Sequence, residues 1–283
     1  MAIAVELRHI SKRFPGVIAN KDVSIKGESG SVHALIGENG AGKSTVMKIL
    51  YGMQRPDSGE ILVNGQSVQF KKPADSIEAG IGMVHQHFML ADNFTVLENI
   101  VLGYEPSHGG VIDFNAARTK INEMAAAYGL TVDPDALVED LGVGQRQRVE
   151  ILKVLYRGAK ILIFDEPTAV LVPQEVDELF EALQGLRKDG LTVIFITHKL
   201  DEVLRVADDV TVIRAGSTVA EVKASDVSAK KLAELMVGSE LPSPEIHGSA
   251  KRAEVTLSLS KLTVPAESGA RNLVSDVSFT LHA

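Results

Sequence analysis

Gly37-Glu38-Asn39-Gly40-Ala41-Gly42-Lys43-Ser44-Thr45 is the stretch on which the reading of this chain turns. It matches the spacing G-x-x-x-x-G-K-[ST]. An apolar run, Val32–Ile36, leads into it, and a helix-compatible run, Val46–Leu50, leads out. Glycines allow a tight turn in which successive N–H groups point at one anion. The helix that follows adds the positive end of its dipole. In such a loop Lys43 reaches the β- and γ-phosphates and the Ser44 hydroxyl ligates Mg²⁺. The stretch reads as a nucleoside-triphosphate site.

Outward from the loop, short continuous apolar runs recur at Val32–Ile36, Ile161–Phe164, Val193–Ile196 and Val210–Ile213. Runs without alternation suit strands buried on both faces of a mainly parallel sheet. Helical patterns lie between them. Pro173 stands where a first helical residue belongs, and Val176, Leu179, Phe180, Leu183 and Leu186 form one stripe. The alternation predicts an α/β fold with the loop at the C-terminal end of a strand. Residues from about 94 to 157 read as a helical subdomain inserted between the loop and the next core strand. Its helices are expected over Ala116–Tyr128 and Gln145–Tyr156. Residues 239–254, with Pro242 and Pro244, read as a linker. Beyond it, Val255-Thr256-Leu257 and Asp276-Val277-Ser278-Phe279 repeat Val5-Glu6-Leu7 and Asp22-Val23-Ser24-Ile25, so 255–283 reads as the start of a truncated second copy.

Composition narrows the classes. The 283 residues are 45% hydrophobic and 23% charged, an ordinary globular balance. A formal net charge of -8 opposes a nucleic-acid binder. With no cysteine, disulfides and thiolate metal sites are excluded. The N-terminus lacks the pattern of a signal peptide, and no apolar run reaches the ~18 residues of a membrane span. Work at a membrane would therefore go through a partner.

Ile161-Leu162-Ile163-Phe164-Asp165-Glu166 ends a buried-type strand in two carboxylates. Asp165 there would hold Mg²⁺, and Glu166 would take a proton from attacking water; taken alone, the pair could equally be a polar turn and helix cap. Leu141-Gly142-Val143-Gly144-Gln145 opens another helix just upstream, a second anion site best explained as serving a partner's nucleotide. Its plainer alternative is a capped amphipathic helix. His198, after Val193–Ile196, is either an ordinary strand-end histidine or a γ-phosphate contact.

In this order the motifs resemble the ATP-binding-cassette (ABC) ATPases across residues 1–238. The resemblance implies a P-loop ABC ATPase fold, with a mainly parallel core, an antiparallel β part and the helical insert. It makes Gly37, Glu38, Asn39, Gly40, Ala41, Gly42, Lys43, Ser44 and Thr45 the Walker A loop, and Phe14 the ring that stacks on adenine. Gln86 becomes the Q-loop glutamine, a metal ligand with Ser44 and Asp165. Gly142, Val143, Gly144 and Gln145 belong to the signature that contacts the opposite nucleotide. Lys43, Gln86, Glu166 and His198 form the catalytic set, with ATP and Mg²⁺ as cofactors. Gly82–Leu90, Val149–Gly158 and Asp165–Leu171 look like the tandem ATPases of bacterial nucleoside importers, with monosaccharide importers as alternative. Implied partners are transmembrane permease subunits, an extracytoplasmic solute-binding protein and a second cassette of the same full-length chain, with no nucleic acid. The implied location is peripheral, on the cytoplasmic face of the membrane.

Three residues depart from the family pattern: Gly142 stands where its signature has serine, Val143 where the signature has glycine, and Val172 where its D-loop has aspartate. His85 and His87 flank Gln86, but no carboxylate or third histidine nearby completes a metal set. A soluble ABC protein acting on ribosomes or DNA is the lesser reading, because the linker is short and no coiled coil separates Lys43 from Gly144. Apolar side chains between Gln86 and Asn99 (Phe88, Met89, Leu90, Phe94) suggest a permease-docking surface.

Overall fold

Five-residue strands buried at every position need cover on both faces, and the fold provides it. The computed structural model describes residues 2–108, 111–239, 255–265 and 272–282, in two units divided at Leu241. In the first, β1 (Ile3–Phe14) and β2 (Val17–Glu28) form a hairpin. β3 (Val32–Ile36) then enters the glycine loop and α1 (Lys43–Leu50). β4 (Ser58–Val63), β5 (Gln66–Val68) and α2 (Pro73–Glu78) lead to β6 (Ile81–Val84). Next come α3 (Val96–Val101), a small ribbon of β7 (Ser107–His108) and β8 (Val111–Ile112), α4 (Phe114–Tyr128) and α5 (Val143–Tyr156). β9 (Ile161–Asp165), α6 (Pro173–Lys188), β10 (Thr192–Ile196), α7 (Leu200–Val206), β11 (Asp209–Arg214), β12 (Ser217–Lys223) and α8 (Ala229–Val237) complete the unit.

The main sheet has the order β12-β11-β3-β10-β9-β6, parallel except for the edge strand β12. A second sheet, β2-β1-β4-β5, is antiparallel. Period-two alternation sends neighbouring residues of one strand to opposite cores. Leu162, Phe164, Val193 and Phe195 pack with the helices α3–α6. Ile161, Ile163, Ile194 and Ile196 pack against α1 and the antiparallel sheet. Phe164 is fully buried, and truncating such a ring to alanine costs about 3–5 kcal/mol.

One expectation needs correction. The helical stretch does not follow the loop directly, because β6 is already a core strand pairing with β9. Gly82 hid it: glycine is a poor strand residue, and here it is required by close packing. A Cβ at Gly82 would stand 2.9 Å from side-chain carbons of Val154 and Ala159. The helices match the apolar stripes, and α4 starts two residues earlier than the stripe suggests, behind its cap Asp113.

The second unit is an antiparallel hairpin of β13 (Val255–Pro265) and β14 (Asn272–His282). Its bulge repeats that of β1–β2. In the first hairpin His9 takes φ 52° and donates its N–H to Ser24 Oγ at 3.0 Å, between the pairs Leu7–Ile25 and Ile10–Val23. In the second, Lys261 takes φ 49° and donates to Ser278 Oγ at 2.7 Å, between Leu259–Phe279 and Leu262–Val277. Leu7 thus corresponds to Leu259, two residues beyond the Leu257 that sequence matching aligns with it. A slip of two keeps every side chain on its face, so the apolar pattern alone cannot detect it.

His33 in β3 is buried among these strands, with Nε2 2.8 Å from Thr211 Oγ1. Burial lowers its pKa from 6.5 to about 4; Asp209 pulls it upward and Lys223 pushes it further down. The folded protein therefore excludes a proton that the unfolded chain accepts below pH 6.5. Stability contributed by neutral His33 is complete above 6.5 and is lost as pH falls towards about 4, to the extent of about 3 kcal/mol. Denaturant titrations over this range should show a shallower loss for His33→Gln than for wild type; parallel curves would refute the assignment.

Candidate functional site

The glycine loop is wedged between two pieces of backbone. Gly42 has φ 104°, and a Cβ on it would lie 2.3 Å from the carbonyl oxygen of Ala19 in β2. Asn20, fully buried, donates its Nδ2–H to Gly42 O at 3.1 Å. On the other side the Gly216 N–H donates to Ala41 O at 3.0 Å, and Gly216 O accepts from the Lys21 N–H at 2.7 Å. The turn between β11 and β12 therefore braces the loop against β2. Lys43 donates to the carbonyls of Gly37 (2.7 Å) and Glu38 (3.0 Å). Burial depresses its pKa, while Glu166 and Asp165 draw it back up.

The carboxylates stand at the end of β9, opposite this loop. Burial raises the Asp165 pKa, helped by Glu166, while Lys48, Lys43 and a hydrogen bond with Ser44 oppose the rise. Ser44 and Asp165 together offer oxygen donors only, which suits a hard cation such as Mg²⁺. Glu166 has φ 47°, a left-handed backbone that non-glycine residues seldom adopt. Its Oε1 is 3.2 Å from His198 Nδ1, and its Oε2 accepts from Gln86 Nε2 at 3.4 Å. Asn39, Gly40, Gly42, Lys43, Ser44, Thr45, Gln86 and Glu166 line one open groove of about 410 Å³. The fold thus gathers the loop, both carboxylates, Gln86 and His198, which are widely separated in sequence.

Phe14 sits 39% exposed beside the β1–β2 turn, two residues beyond Lys12, the strand partner of Asn20. The Lys12 Nζ lies 5.6 Å from its ring centroid. Gly142, Val143, Gly144 and Gln145 open α5 away from the groove and are not among its lining residues. Val143 is exposed, and a Cβ on Gly144 would collide with Glu175 of α6 at 2.3 Å. Glu175 also accepts from the Val172 N–H at 3.1 Å, so the start of α5 and the turn before α6 share one carboxylate. His85 is half-buried and packs edge-on against Tyr51, and burial lowers its pKa. Among the described residues, no group of three or more His, Cys, Asp or Glu side chains is arranged to hold a metal ion.

Sequence reasoning missed Asn20 and also the anchor of the Gln86 segment. Glu150, 1% exposed in α5, accepts from the Met89 N–H, and Lys153 donates to Met89 O at 2.8 Å. Lys153 also pairs with Glu150 at 2.9 Å. Nothing local in the sequence marks a contact across some sixty positions.

Comparison with known proteins follows the same residues. The family model of ABC transporters matches residues 20–169. The nucleoside import ATP-binding protein NupA of Lactococcus lactis subsp. cremoris is 48% identical over 94% of this chain and 52% of its own length. The guanosine import ATP-binding protein NupO of Bacillus subtilis is 45% identical over 100% and 55%. The glucose import ATP-binding protein TsgD13 of Haloferax volcanii is 48% identical over 84% and 48%. The chain thus spans about half the length of these relatives. A crystal structure of an ATP-binding cassette of an ABC transporter in its ADP conformation superposes with TM-score 0.73 at 27% identity, covering 84% of this chain and 100% of that one.

The wedge around Gly42 makes a direct test. Gly42→Ala should destabilise the protein by about 1–3 kcal/mol, since its backbone angle and its contact with Ala19 O both exclude a side chain. Thermal unfolding would show this, together with loss of triphosphate binding. Gly40→Ala, with open space around its Cβ, should cost less.

Proposed function

This chain belongs to the ABC transporter family, and from that premise we propose that it is the ATP-binding and ATP-hydrolysing part of an importer of the bacterial type, with nucleosides as the transported solutes. The observation that carries the ATPase reading is Glu166, held between His198 and Gln86 across the groove from Lys43. The nucleoside reading leans on NupA and NupO, which match along nearly the whole chain; TsgD13 makes a simple sugar the competing solute.

In this mechanism the backbone N–H groups of the glycine loop and the start of α1 hold the phosphates. Lys43 turns from the Gly37 and Glu38 carbonyls to the β- and γ-phosphates, exchanging neutral acceptors for charged ones. Ser44, Asp165 and Gln86 would hold Mg²⁺, which when bound offsets phosphate charge. Glu166 accepts a proton from the attacking water, and His198, on its Oε1 side, keeps that carboxylate turned into the groove. Phe14 supplies an exposed ring for the base to stack on.

Residues 142–145 would act on a nucleotide held by a second cassette. Gly142 brings no hydroxyl to it and Val143 adds an apolar side chain. The repeated bulge at Lys261 supports reading 255–282 as the opening of that second cassette: Leu262, Val277 and Phe279 are exposed where Ile10, Val23 and Ile25 are buried under the rest of the first unit.

Permease subunits would be the partners, and the protein would lie on the cytoplasmic side of the membrane. No helix among the described residues is long and apolar enough to cross one. Within Gln86–Asn99 the surface differs from a uniformly apolar segment. Met89 is 63% exposed, Leu90 packs on the core, and Asn99 is buried, bonded to Ala91 and Thr95. Exposed Leu102 and Tyr104 extend the surface and are held together by Arg157, which stacks on Tyr104 and donates to Leu102 O.

Glu166→Gln should retain ATP affinity and lose turnover by about 10²–10⁴-fold, because an amide accepts no proton. Rapid hydrolysis by that variant would remove Glu166 from the role of base. Met89→Glu with Tyr104→Glu should abolish co-purification with the permease at unchanged ATP affinity; retained assembly would place docking elsewhere.

A further inference from the structure

Beneath Glu166 and His198 lies a polar cluster that the chemistry above does not use. Glu202 in α7 has its side chain 11% exposed. Its Oε2 accepts from the hydroxyl of Thr168 at 2.8 Å and from that of Thr197 at 3.3 Å. Its Oε1 pairs with Lys199 Nζ at 3.1 Å, and the same ammonium donates to Thr168 O at 3.1 Å. Thr168 and Thr197 are each only 2% exposed.

The connectivity matters more than the count of bonds. Thr168 follows Glu166 by two residues in the turn after β9, and Thr197 immediately precedes His198 in the turn after β10. A glutamate three residues past a helix cap commonly reaches back to the cap N–H. Here the Lys199 N–H is taken by Thr197 Oγ1 at 3.0 Å, which leaves Glu202 to bridge the two turns. That acceptance also directs the Thr197 proton towards Glu202. The left-handed backbone of Glu166 persists only if its surroundings hold it, and this buried carboxylate is a brace in the right place.

We propose that Glu202 is a positioning residue for ATP hydrolysis: by tying the Thr168 turn to the Thr197 turn it fixes the approach of His198 to Glu166. The proposal rests on the ATPase reading of the site. Glu202 is not among the residues that line the groove, so its effect belongs in turnover and not in ATP affinity. A displacement of about 1 Å at a reacting group can cost about a hundredfold in rate.

The experiment measures ATP affinity and steady-state hydrolysis of the full-length protein. Glu202→Ala should lower kcat by about ten- to a hundredfold with ATP affinity nearly unchanged. Glu202→Gln, whose amide oxygen still accepts from both hydroxyls, should recover most of that rate. In a His198→Ala background Glu202→Ala should cost little more, because both act on one geometry. Thr168→Val removes one donor without uncovering a charge, and carries the test if Glu202→Ala fails to fold; it should lower kcat by a smaller factor. Unchanged kcat in Glu202→Ala or in Thr168→Val, or an equal fold loss with and without His198, overturns the proposal. Failure of the ATPase reading is separate: the wild-type protein would itself not hydrolyse ATP.

Discussion

The glycine loop has no room of its own, and that constraint organises the rest of the structure. A Cβ on Gly37 would strike Ile213 O at 2.2 Å, and one on Gly42 would strike Ala19 O at 2.3 Å. The loop is therefore clamped between β11 in the parallel sheet and β2 in the antiparallel one. N–H groups that must point at an anion cannot also be held by a ladder, so neighbouring backbone has to fix the loop from outside. Both sheets are needed for this, and α1 is pinned beneath them by Val46, Met47, Ile49 and Leu50. Any ligand at the loop is thereby coupled to the packing of the whole first unit.

The site opposite the loop is built from strand ends. Parallel strands β9 and β10 stop at the same level, with Phe195 beside Phe164 and Ile196 beside Asp165, so the next residues, Glu166 and Thr197-His198, emerge together. The N–H of Glu166 donates to Ile196 O at 2.9 Å, which continues the pairing one step past the sheet. The left-handed turn at Glu166 then aims its carboxylate sideways at His198 and Gln86. Register supplies proximity, and side-chain bonds supply orientation. The two depend on different residues, which is why a carboxylate as remote as Glu202 can bear on the geometry of the pair.

The helical region is joined to this centre through the core that α3–α5 share with β9 and β10, and through one buried polar grip. Glu150 and Lys153 grip both polar groups of the Met89 backbone, so the segment carrying Gln86 and the helix carrying Gly142–Gln145 form one mechanical piece. A buried carboxylate is tolerated there because it is paired and hydrogen-bonded at once. Met89 thus carries an exposed side chain on a backbone that buried groups hold at both its N–H and its carbonyl.

The sequence by itself determined the loop, the buried strands β3, β9, β10 and β11, the helices α4–α6 and the acid pair at the end of β9. Those features are local: a motif of fixed spacing, or a period of two or 3.6 carried by a contiguous run. The repeat near 255–282 was also legible, but its register was not, because sliding a strand by two leaves the pattern of faces unchanged. β6 escaped because Gly82 weakens the pattern for the sake of packing on Val154 and Ala159. Asn20 under Gly42, the Glu150–Lys153 grip and the Glu202 bridge were decided only by the tertiary structure. Each joins residues brought together by folding, and a hydrogen bond between distant segments leaves no period, spacing or composition in the chain to announce it.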